Sequence, residues 1–293
     1  MVDPSGTDNF SVSVIIPTFN RVEYLPDALD SVYSQTHPVT EVIVVDDGST
    51  DHTVEKLSPS YPSVQFLRQE NQGVSSARNL GIAKASHPWI ALLDSDDRWT
   101  PQKLERQINH LSQNPSLRAV HTGEKWIRDG KDINIPASLD KSKDGLWERS
   151  LEKCIICPSS VLLHQSVFEK TGTFDPSLAI CEDYDFWLRL LLTHEIGLIE
   201  EPLVHKYGGH PDQLSMSTWG LDRFRVQSLK KISGFENITP RHRAQIYETI
   251  IRKTDLLIQG FKKHGKYEEA QRYQVQKDTA IHELSLLSEN IVS

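Results

Sequence analysis

Three aspartates follow one short apolar segment of this 293-residue chain. The segment, residues 89–93, is too short for a typical helix and comes directly after Pro88, so its pattern predicts a strand buried on both faces. Asp94, Asp96 and Asp97 follow at once. Negative charge at the end of a buried strand is unfavourable unless a cation shares the site, and carboxylate oxygens suit hard divalent cations. This stretch therefore predicts a metal ion together with an anionic ligand.

Two further pairs of carboxylates could take part in chemistry. Asp46 and Asp47 follow another apolar segment, and Glu182 and Asp183 begin an amphipathic one. A carboxylate can accept a proton from a hydroxyl or accept hydrogen bonds from a ligand. Carboxylates also cap turns and favour helix N-termini, so each pair has a structural interpretation beside the functional one.

The order of the predicted elements would bring these carboxylates together. Strand-like segments begin near Val12, Glu41, Val64 and Trp89, and each is followed by a helix-like segment. Such alternation is typical of a mostly parallel sheet with crossover helices, where ligands bind beyond the carboxyl ends of the strands. From Leu221 onward the residues are mainly helix formers, which predicts two or three C-terminal helices.

Composition excludes several classes of function. The net charge of −8 and pI near 5.8 argue against a nucleic-acid-binding protein, and the charged fraction of 25% is ordinary for a soluble globular protein. The sequence shows no signal peptide and no apolar run long enough for a transmembrane segment, so we expect a cytoplasmic protein, or one peripheral at the inner face of the membrane. Cys154 and Cys157 have the spacing of half a zinc site or a redox pair, but in a reducing compartment we expect free thiols.

With these residues assembled, the chain resembles the inverting family 2 glycosyltransferases. The resemblance extends from about residue 11 to residue 217 and rests on five motifs in the expected order. They are VIIPTFN at 14–20, VVDDGSTD at 44–51, NQGVSSARNLG at 71–81, LDSDD at 93–97 with Pro101, and EDYD at 182–185 with Arg189.

The resemblance implies an α/β protein of the GT-A fold, with a Rossmann-like, mostly parallel central sheet, flanking helices and a C-terminal helical appendage. It implies a flexible N-terminus at 1–10 and a glycosyltransferase domain at 11–218. Within that domain, 11–116 would bind the nucleotide sugar and 117–218 the acceptor. Residues 219–293 would form a helical extension, which is a candidate surface for homo-oligomer formation.

The resemblance also implies a donor site. Pro17, Thr18 and Asn20 would line the nucleoside pocket, and Asp46 would accept a hydrogen bond from the base. Such an acceptor suits the imide N–H of uracil or thymine, which favours a UDP-sugar or dTDP-sugar donor. In addition, Arg78 would lie near the donor diphosphate or sugar, and Asp94 would face the ribose.

Metal and catalytic residues follow from the same motifs. Asp96, and His210 in the loop after the last predicted strand, would hold Mn²⁺ or Mg²⁺ against the diphosphate. Asp183 would be the general base that deprotonates the acceptor hydroxyl, with Glu182 orienting it. The loop before His210 lacks an arginine that the family pattern usually contains, so the contact to the diphosphate oxygens stays open.

The acceptor is less defined: a glycan, a lipid-linked molecule or a small molecule would each fit. Two other functions are open alternatives. A sugar-phosphate nucleotidyltransferase would carry a glycine-rich phosphate loop after the first strand, and this chain has none there. A non-catalytic module that binds nucleotide sugars or glycans would not need both Asp96 and Asp183, which this chain retains.

Overall fold

The computed structural model describes residues 10–209 and 219–292. Within them, nine strands form one mixed sheet in the order β3-β2-β1-β4-β8-β6-β9-β5, with β7 paired to β6. The strands are β1 (Val12–Thr18), β2 (Glu41–Asp46), β3 (Val64–Arg68), β4 (Trp89–Leu92), β5 (Arg98–Trp99), β6 (Ala119–Arg128), β7 (Lys131–Ile133), β8 (Leu162–His164) and β9 (Gly197–Gly208).

The first four strands are parallel, as the alternating sequence pattern predicted. β1 pairs with both β2 and β4, and Thr18 lies opposite Asp46 at the carboxyl ends of β1 and β2. β4 is buried along its whole length. The strand ends at Leu92, but Leu93 still donates its amide to Ile15 O, so Asp94 begins where the sheet stops.

Helices cover both faces of this sheet. Described helices are α1 (Leu25–Tyr33), α2 (Thr53–Leu57), α3 (Val74–Lys84), α4 (Lys103–Gln113), α5 (Leu146–Glu152), α6 (Val167–Thr171), α7 (Glu182–Thr193), α8 (Asp222–Ser233), α9 (Pro240–Lys263) and α10 (Tyr267–Val292). Apolar residues of α1 and α4 pack on one face, and those of α3 and α7 on the other. Burying each large side chain stabilises the fold by about 1.5–3 kcal/mol, so these two layers hold the strand ends in place.

Helix α3 approaches the sheet unusually closely. A Cβ at Gly81 would lie 2.3 Å from Ile15 Cγ2 on β1, so only glycine fits there without displacing the strand. Ala77, one turn earlier, is fully buried in the same layer. The short side chains therefore set the distance between α3 and the sheet, and with it the position of Arg78.

The second half of the sheet is more irregular than the first. β8 is antiparallel to both β4 and β6, whereas β6 and β9 are parallel with register shifts around Gly123. The apolar segment at residues 159–164 predicts one buried strand, but it is divided between a 3-10 turn at Pro158–Ser160 and β8. The short strand β5 and helix α5 were not predicted, because neither has a periodic pattern long enough to recognise.

The C-terminal helices continue the fold. Apolar residues of α8, α9 and α10 form a third cluster with Leu151 and with Tyr184 and Leu188 of α7. This contact places α7 between the sheet and the C-terminal helices. Within 10–209 and 219–292, no helix combines the length and the apolar character needed to cross a bilayer.

Candidate functional site

The predicted nucleoside-binding residues lie together at the carboxyl ends of β1 and β2. Pro17 is buried within β1, and Thr18 is 3% exposed, with an Oγ1 that has no hydrogen-bond partner among the described residues. Asn20 has a left-handed backbone at φ 53°, donates its amide to Ser49 Oγ at 2.8 Å and accepts from the Thr50 amide at 2.8 Å. The loops after the two strands are therefore joined directly.

Asp46 closes the turn after β2. Its carboxylate is buried, and Oδ1 accepts the Ser49 amide at 2.9 Å. The other oxygen, Oδ2, lies 3.7 Å from Arg68 Nε. Asp46 thus caps the turn, which is one of the two interpretations of its pair in the sequence. Its Oδ2 faces the partly exposed Arg68.

Asp47 holds the start of helix α3. Its Oδ1 accepts from Gln69 Nε2 at 2.7 Å and from the Gln72 amide at 2.9 Å, and its Oδ2 accepts from the Gly73 amide at 2.9 Å. Gly73 has φ 87°, a conformation that glycine adopts without strain. Asp47 therefore fixes the helix that carries Arg78.

Arg78 joins two of the predicted functional segments. It is 3% exposed and donates from Nη1 to Glu182 Oε1 at 2.6 Å and from Nη2 to Asp94 Oδ1 at 2.7 Å. Its guanidinium also lies over the Phe174 ring, 5.2 Å from the centroid. The two carboxylates raise the pKa of Arg78 against the effect of burial, so the side chain stays charged. Acidic residues far apart in the sequence thus meet across one arginine.

The cluster after β4 is held from the second half of the chain. The Asp94 amide donates to Ser159 Oγ at 3.0 Å, and Ser159 Oγ donates to Asp97 Oδ2 at 2.6 Å. Burial raises the pKa of Asp97 well above its ordinary value, with Lys206 opposing this and Asp96 and Asp94 adding to it. Asp97, one of the three aspartates from which the sequence predicted a metal ion, is 2% exposed and is the most buried carboxylate of the cluster.

Asp94 and Asp97 also form a candidate cation site with Cys157. One ligand atom from each of these three residues lies within 4.8 Å of the others. This is the group of potential metal ligands found among the described residues. Lys206 Nζ lies 3.6 Å from Cys157 Sγ, and the nearby thiol and carboxylates raise the pKa of Lys206 well above its ordinary value. The carboxylate donors fit a divalent cation, and a lysine supplies positive charge beside them.

The metal ligands predicted from the family motifs are Asp96 and His210. Asp96 is half-buried beside this group, close enough to affect the titration of Asp97. His210 lies outside the described residues. Sequence reasoning missed Cys157 and Lys206 because each meets Asp97 only through the folding of distant segments.

Glu182 and Asp183 form the first turn of α7, as predicted. Burial and the neighbouring Asp183 raise the pKa of Glu182 to about 7, although Arg78 opposes this shift. Asp183 is half-buried, accepts the Tyr184 amide at 2.7 Å through Oδ1, and accepts the Cys154 thiol at 3.2 Å through Oδ2. Glu182 is thus committed to Arg78, whereas Asp183 is the more accessible carboxylate of the pair.

The later residues of the same motif anchor α7 and do not face the cluster. Asp185 is fully buried, lies 2.7 Å from Arg189 Nη2 and 2.6 Å from Lys231 Nζ, and accepts from Ser228 Oγ at 2.9 Å. Arg189 also donates to the carbonyl oxygens of Thr171 and Thr173. These bonds tie α7 to α8 and to the loop after α6.

A separate cavity of about 380 Å³ lies beside the irregular pairing of β6 and β9. Its lining combines three carboxylates and one lysine with apolar side chains, namely Glu124, Asp140, Glu200, Lys141, Ile135, Leu139 and Leu198. Lys141 Nζ is 3.4 Å from Glu124 Oε2. Against the effect of burial, Lys141 and then Lys206 lower the pKa of Glu124, so the cavity lies close to the lysine beside the cation site.

The sheet order and this carboxylate-rich edge define an α/β protein of the GT-A class. The same fold occurs in S. aureus TarS: the crystal structure of a TarS fragment in complex with UDP-GlcNAc has a TM-score of 0.72 over 94% of this chain and 81% of that one, at 20% identity. Another crystal structure of S. aureus TarS gives a TM-score of 0.63 over 83% of this chain and 43% of that one, at 20% identity. At such identity the likeness establishes the fold.

The family follows from sequence comparison. The model of glycosyl transferase family 2 matches residues 13–172, more than half of the chain, so the chain belongs to this family. A Rickettsia prowazekii protein described as an uncharacterized glycosyltransferase is 34% identical over 66% of this chain and 62% of its own length. A Rickettsia bellii protein, also described as an uncharacterized glycosyltransferase, is 32% identical over 66% of this chain and 28% of its own length. Bacillus subtilis TuaG, named for teichuronic acid biosynthesis, is 33% identical over 61% of this chain and 71% of its own length.

Proposed function

We propose that this protein is a metal-dependent inverting glycosyltransferase that moves a sugar from a nucleotide-diphosphate donor to a hydroxyl group. One observation carries the proposal: Arg78 binds Asp94, beside the candidate cation site, and Glu182, beside the candidate base Asp183. A transfer reaction needs the leaving group and the base at one place. The contacts of Arg78 with both segments support such an arrangement, which neither motif supports alone.

The proposed donor is a UDP-sugar or a dTDP-sugar. Thr18 and Asn20 would contact the nucleoside, and Asp46 Oδ2 would accept the imide N–H of the base, since only Oδ1 is used by the Ser49 amide. Binding of UDP-GlcNAc by the structural neighbour TarS supports this class of donor. The space around the sugar and the base decides between a uridine and a thymidine donor, and the donor screen tests this choice.

The proposed cofactor is Mn²⁺ or Mg²⁺. Asp96 and His210 are the ligands suggested by the family motifs, and Asp94 and Asp97 are the carboxylates of the candidate cation site. A bound divalent cation would neutralise charge on the departing nucleoside diphosphate. Arg78 holds Asp94 in place, and Lys206 adds positive charge on the same side.

Asp183 is the proposed general base. Inversion requires one carboxylate to accept the proton of the acceptor hydroxyl while its oxygen attacks the anomeric carbon from the face opposite the diphosphate. Glu182 is the poorer choice because it is buried against Arg78. Its role would be to hold the first turn of α7 at a fixed position relative to Asp94.

The proposed acceptor is a hydroxylated molecule: a glycan, a lipid-linked sugar or a small molecule. The cavity beside β6 and β9 supports this, because polar groups such as Glu124 and Lys141 alternate with apolar side chains such as Leu198. Its volume is near the lower end of the range for ligand pockets, about 300–1,000 Å³. A cytoplasmic location, with or without peripheral membrane binding, stays a prediction.

The experiment begins with a donor screen. Thermal shift with UDP-sugars, dTDP-sugars and purine nucleotide sugars, each with Mn²⁺, should single out one donor, because a ligand at a hundred times its Kd stabilises the fold by about 2.7 kcal/mol. Transfer and release of the nucleoside diphosphate are then measured for Asp183→Asn and Asp96→Ala. The exposed Asp132→Asn is a matched control, since Asp132 only pairs with Lys125 at the surface.

We expect Asp183→Asn to bind the donor normally but to lose transfer, and Asp96→Ala to lose metal-dependent donor binding. Full transfer by Asp183→Asn would exclude Asp183 as the base. Donor binding without turnover in the unmodified protein, with every acceptor class tried, would instead favour a non-catalytic module. Release of pyrophosphate from a nucleoside triphosphate and a sugar phosphate would favour a nucleotidyltransferase.

A further inference from the structure

Cys154 contacts the carboxylate that we propose as the base. It lies in the loop after α5, and its thiol donates to Asp183 Oδ2 at 3.2 Å. The same sulfur is 3.5 Å from Ile156 O. A thiol has one proton, so the two acceptors compete, and the shorter contact to a charged oxygen is the stronger one.

The two residues are carried by segments that are fastened to each other. Tyr184, next to Asp183, donates its buried hydroxyl to Leu151 O at 2.7 Å, which ties α7 to the end of α5. Ile155 and Ile156, which follow Cys154, are 3% and 1% exposed and pack in the apolar layer under α7. The thiol is therefore held at a fixed position relative to the carboxylate.

Both carboxylate oxygens of Asp183 have a donor. Oδ1 accepts the Tyr184 amide at 2.7 Å, and Oδ2 accepts the Cys154 thiol. Each oxygen has a second lone pair, so one remains for an incoming hydroxyl. With donors on both oxygens, the carboxylate cannot rotate freely about its terminal bond, and the direction of that lone pair is restricted.

The thiol is suited to donate and not to accept. Burial raises the pKa of Cys154 well above its ordinary value, and the charge of Asp183 raises it further. A thiol that stays protonated neither competes with Asp183 for the acceptor proton nor repels it. All three cysteines are free.

We propose that Cys154 is a positioning residue that orients Asp183 Oδ2 through its thiol hydrogen bond. The proposal rests on the proposed function, in which Asp183 is the base. It assigns to one half of the Cys154–Cys157 pair a role that neither a zinc site nor a redox pair supplies. Cys154→Ser should keep this positioning role because a hydroxyl can donate the same hydrogen bond, whereas Cys154→Ala should lose it.

The first test compares Cys154→Ala with Cys154→Ser. The assay is release of nucleoside diphosphate from the donor identified by the screen, with acceptor or with water. We expect kcat to fall on the order of tenfold in Cys154→Ala, the rate equivalent of one modest hydrogen bond, with KM for the donor unchanged. Cys154→Ser should recover most of this loss. Melting temperatures of both variants and of Cys181→Ser, whose sulfur is 4.0 Å from Leu221 O, control for folding.

The pH profile separates positioning from a structural effect. A hydrogen bond to the ionised carboxylate favours its charged form, so its loss makes the base easier to protonate. The acid limb of the kcat profile should therefore move to higher pH in Cys154→Ala and return in Cys154→Ser. An equal loss of kcat at every pH, with no rescue by serine, would overturn the proposal.

A second test does not depend on catalysis. The infrared S–H stretching band that disappears in Cys154→Ala belongs to this thiol, and a strong acceptor lowers its frequency. In Asp183→Asn the band should move to higher frequency, because an amide oxygen is a weaker acceptor than a carboxylate. An unmoved band would show that Cys154 does not donate to Asp183. If the band moves but no nucleotide sugar is turned over by the unmodified protein, the contact stands and the proposed function fails.

Discussion

Replacing Arg78 tests whether the two halves of the proposed site depend on one buried charge. Arg78→Met keeps an unbranched apolar stem of similar length and removes the guanidinium. The variant loses hydrogen bonds of 2.6 and 2.7 Å and leaves Glu182 and Asp94 facing each other without a cation. Removing one partner of a buried ion pair destabilises a protein by about 3–5 kcal/mol, since the remaining charge is uncompensated. We expect a loss in this range at pH 8.

The loss should be smaller at pH 5. The pKa of Glu182 is raised to about 7, so at pH 5 this carboxyl is mostly neutral and its ion pair with Arg78 is already weakened in the unmodified protein. Only the pair with Asp94 then remains to be lost. Arg78→Lys should be intermediate at pH 8, because an ammonium keeps the charge but cannot bind two carboxylates in the guanidinium geometry.

Urea unfolding followed by circular dichroism at both pH values measures these differences. Arg106→Met is a matched control, since Arg106 has a 55% exposed side chain and a surface pair such as its contact with Glu201 contributes about 0–1 kcal/mol. An unfolding midpoint for Arg78→Met equal to that of the unmodified protein at pH 8 would refute the reasoning. So would a destabilisation that is as large at pH 5 as at pH 8.

Two further predictions concern the same edge of the sheet. Because the folded pKa of Glu182 is raised, its stabilising contribution is complete below about pH 4.5 and is lost as pH rises through 7; the shift corresponds to about 3 kcal/mol. Glu182→Gln should therefore flatten the stability curve between pH 4.5 and 7.5 in urea unfolding, and an unchanged slope would contradict the raised pKa. Asp47→Ala leaves the Gln72 and Gly73 amides without their acceptor and should lower the free energy of unfolding by about 2 kcal/mol. Hydrogen exchange should quicken first at the start of α3, and uniform quickening would argue against a local capping role.

The parallel half of the fold could be predicted because its signals are local. β1, β2 and β4 are short apolar segments followed by turn residues, and each is recognisable without knowing its neighbours. β5 has no such signal: Arg98 and Trp99 are strand residues only because they pair with His205 and Val204 of β9. Two residues cannot show a period, so the partner had to be known first.

Expected helix bounds differ for a similar reason. The apolar spacing at residues 21–35 predicts a helix that begins near residue 21, but the helix begins at Leu25. The Val22 amide donates to Asp51 Oδ2 at 3.1 Å, and Asn20 is left-handed, so the start of this segment follows the loop after β2. Long-range hydrogen bonds of this kind override the helical pattern.

The candidate site, like the fold, could be predicted only where its signals are local. Acidic residues at strand and helix ends could be found from motifs, whereas the groups that hold them could not. Ser159 binds both the Asp94 amide and the Asp97 carboxylate from a 3-10 turn that has no sequence signature. Lys206 lies within an otherwise ordinary strand, and its significance depends on its distance to Cys157.

The residues around Arg78 fix its position in the candidate site. Asp47 fixes the start of α3, and Gly81 lets the helix lie against β1, so the guanidinium has little freedom to move. Its Nη1 and Nη2 are both committed to carboxylates, and Nε alone has no partner among the described residues. Through these two contacts Arg78 holds Asp94 at the carboxyl end of β4 and the first turn of α7 at a constant separation.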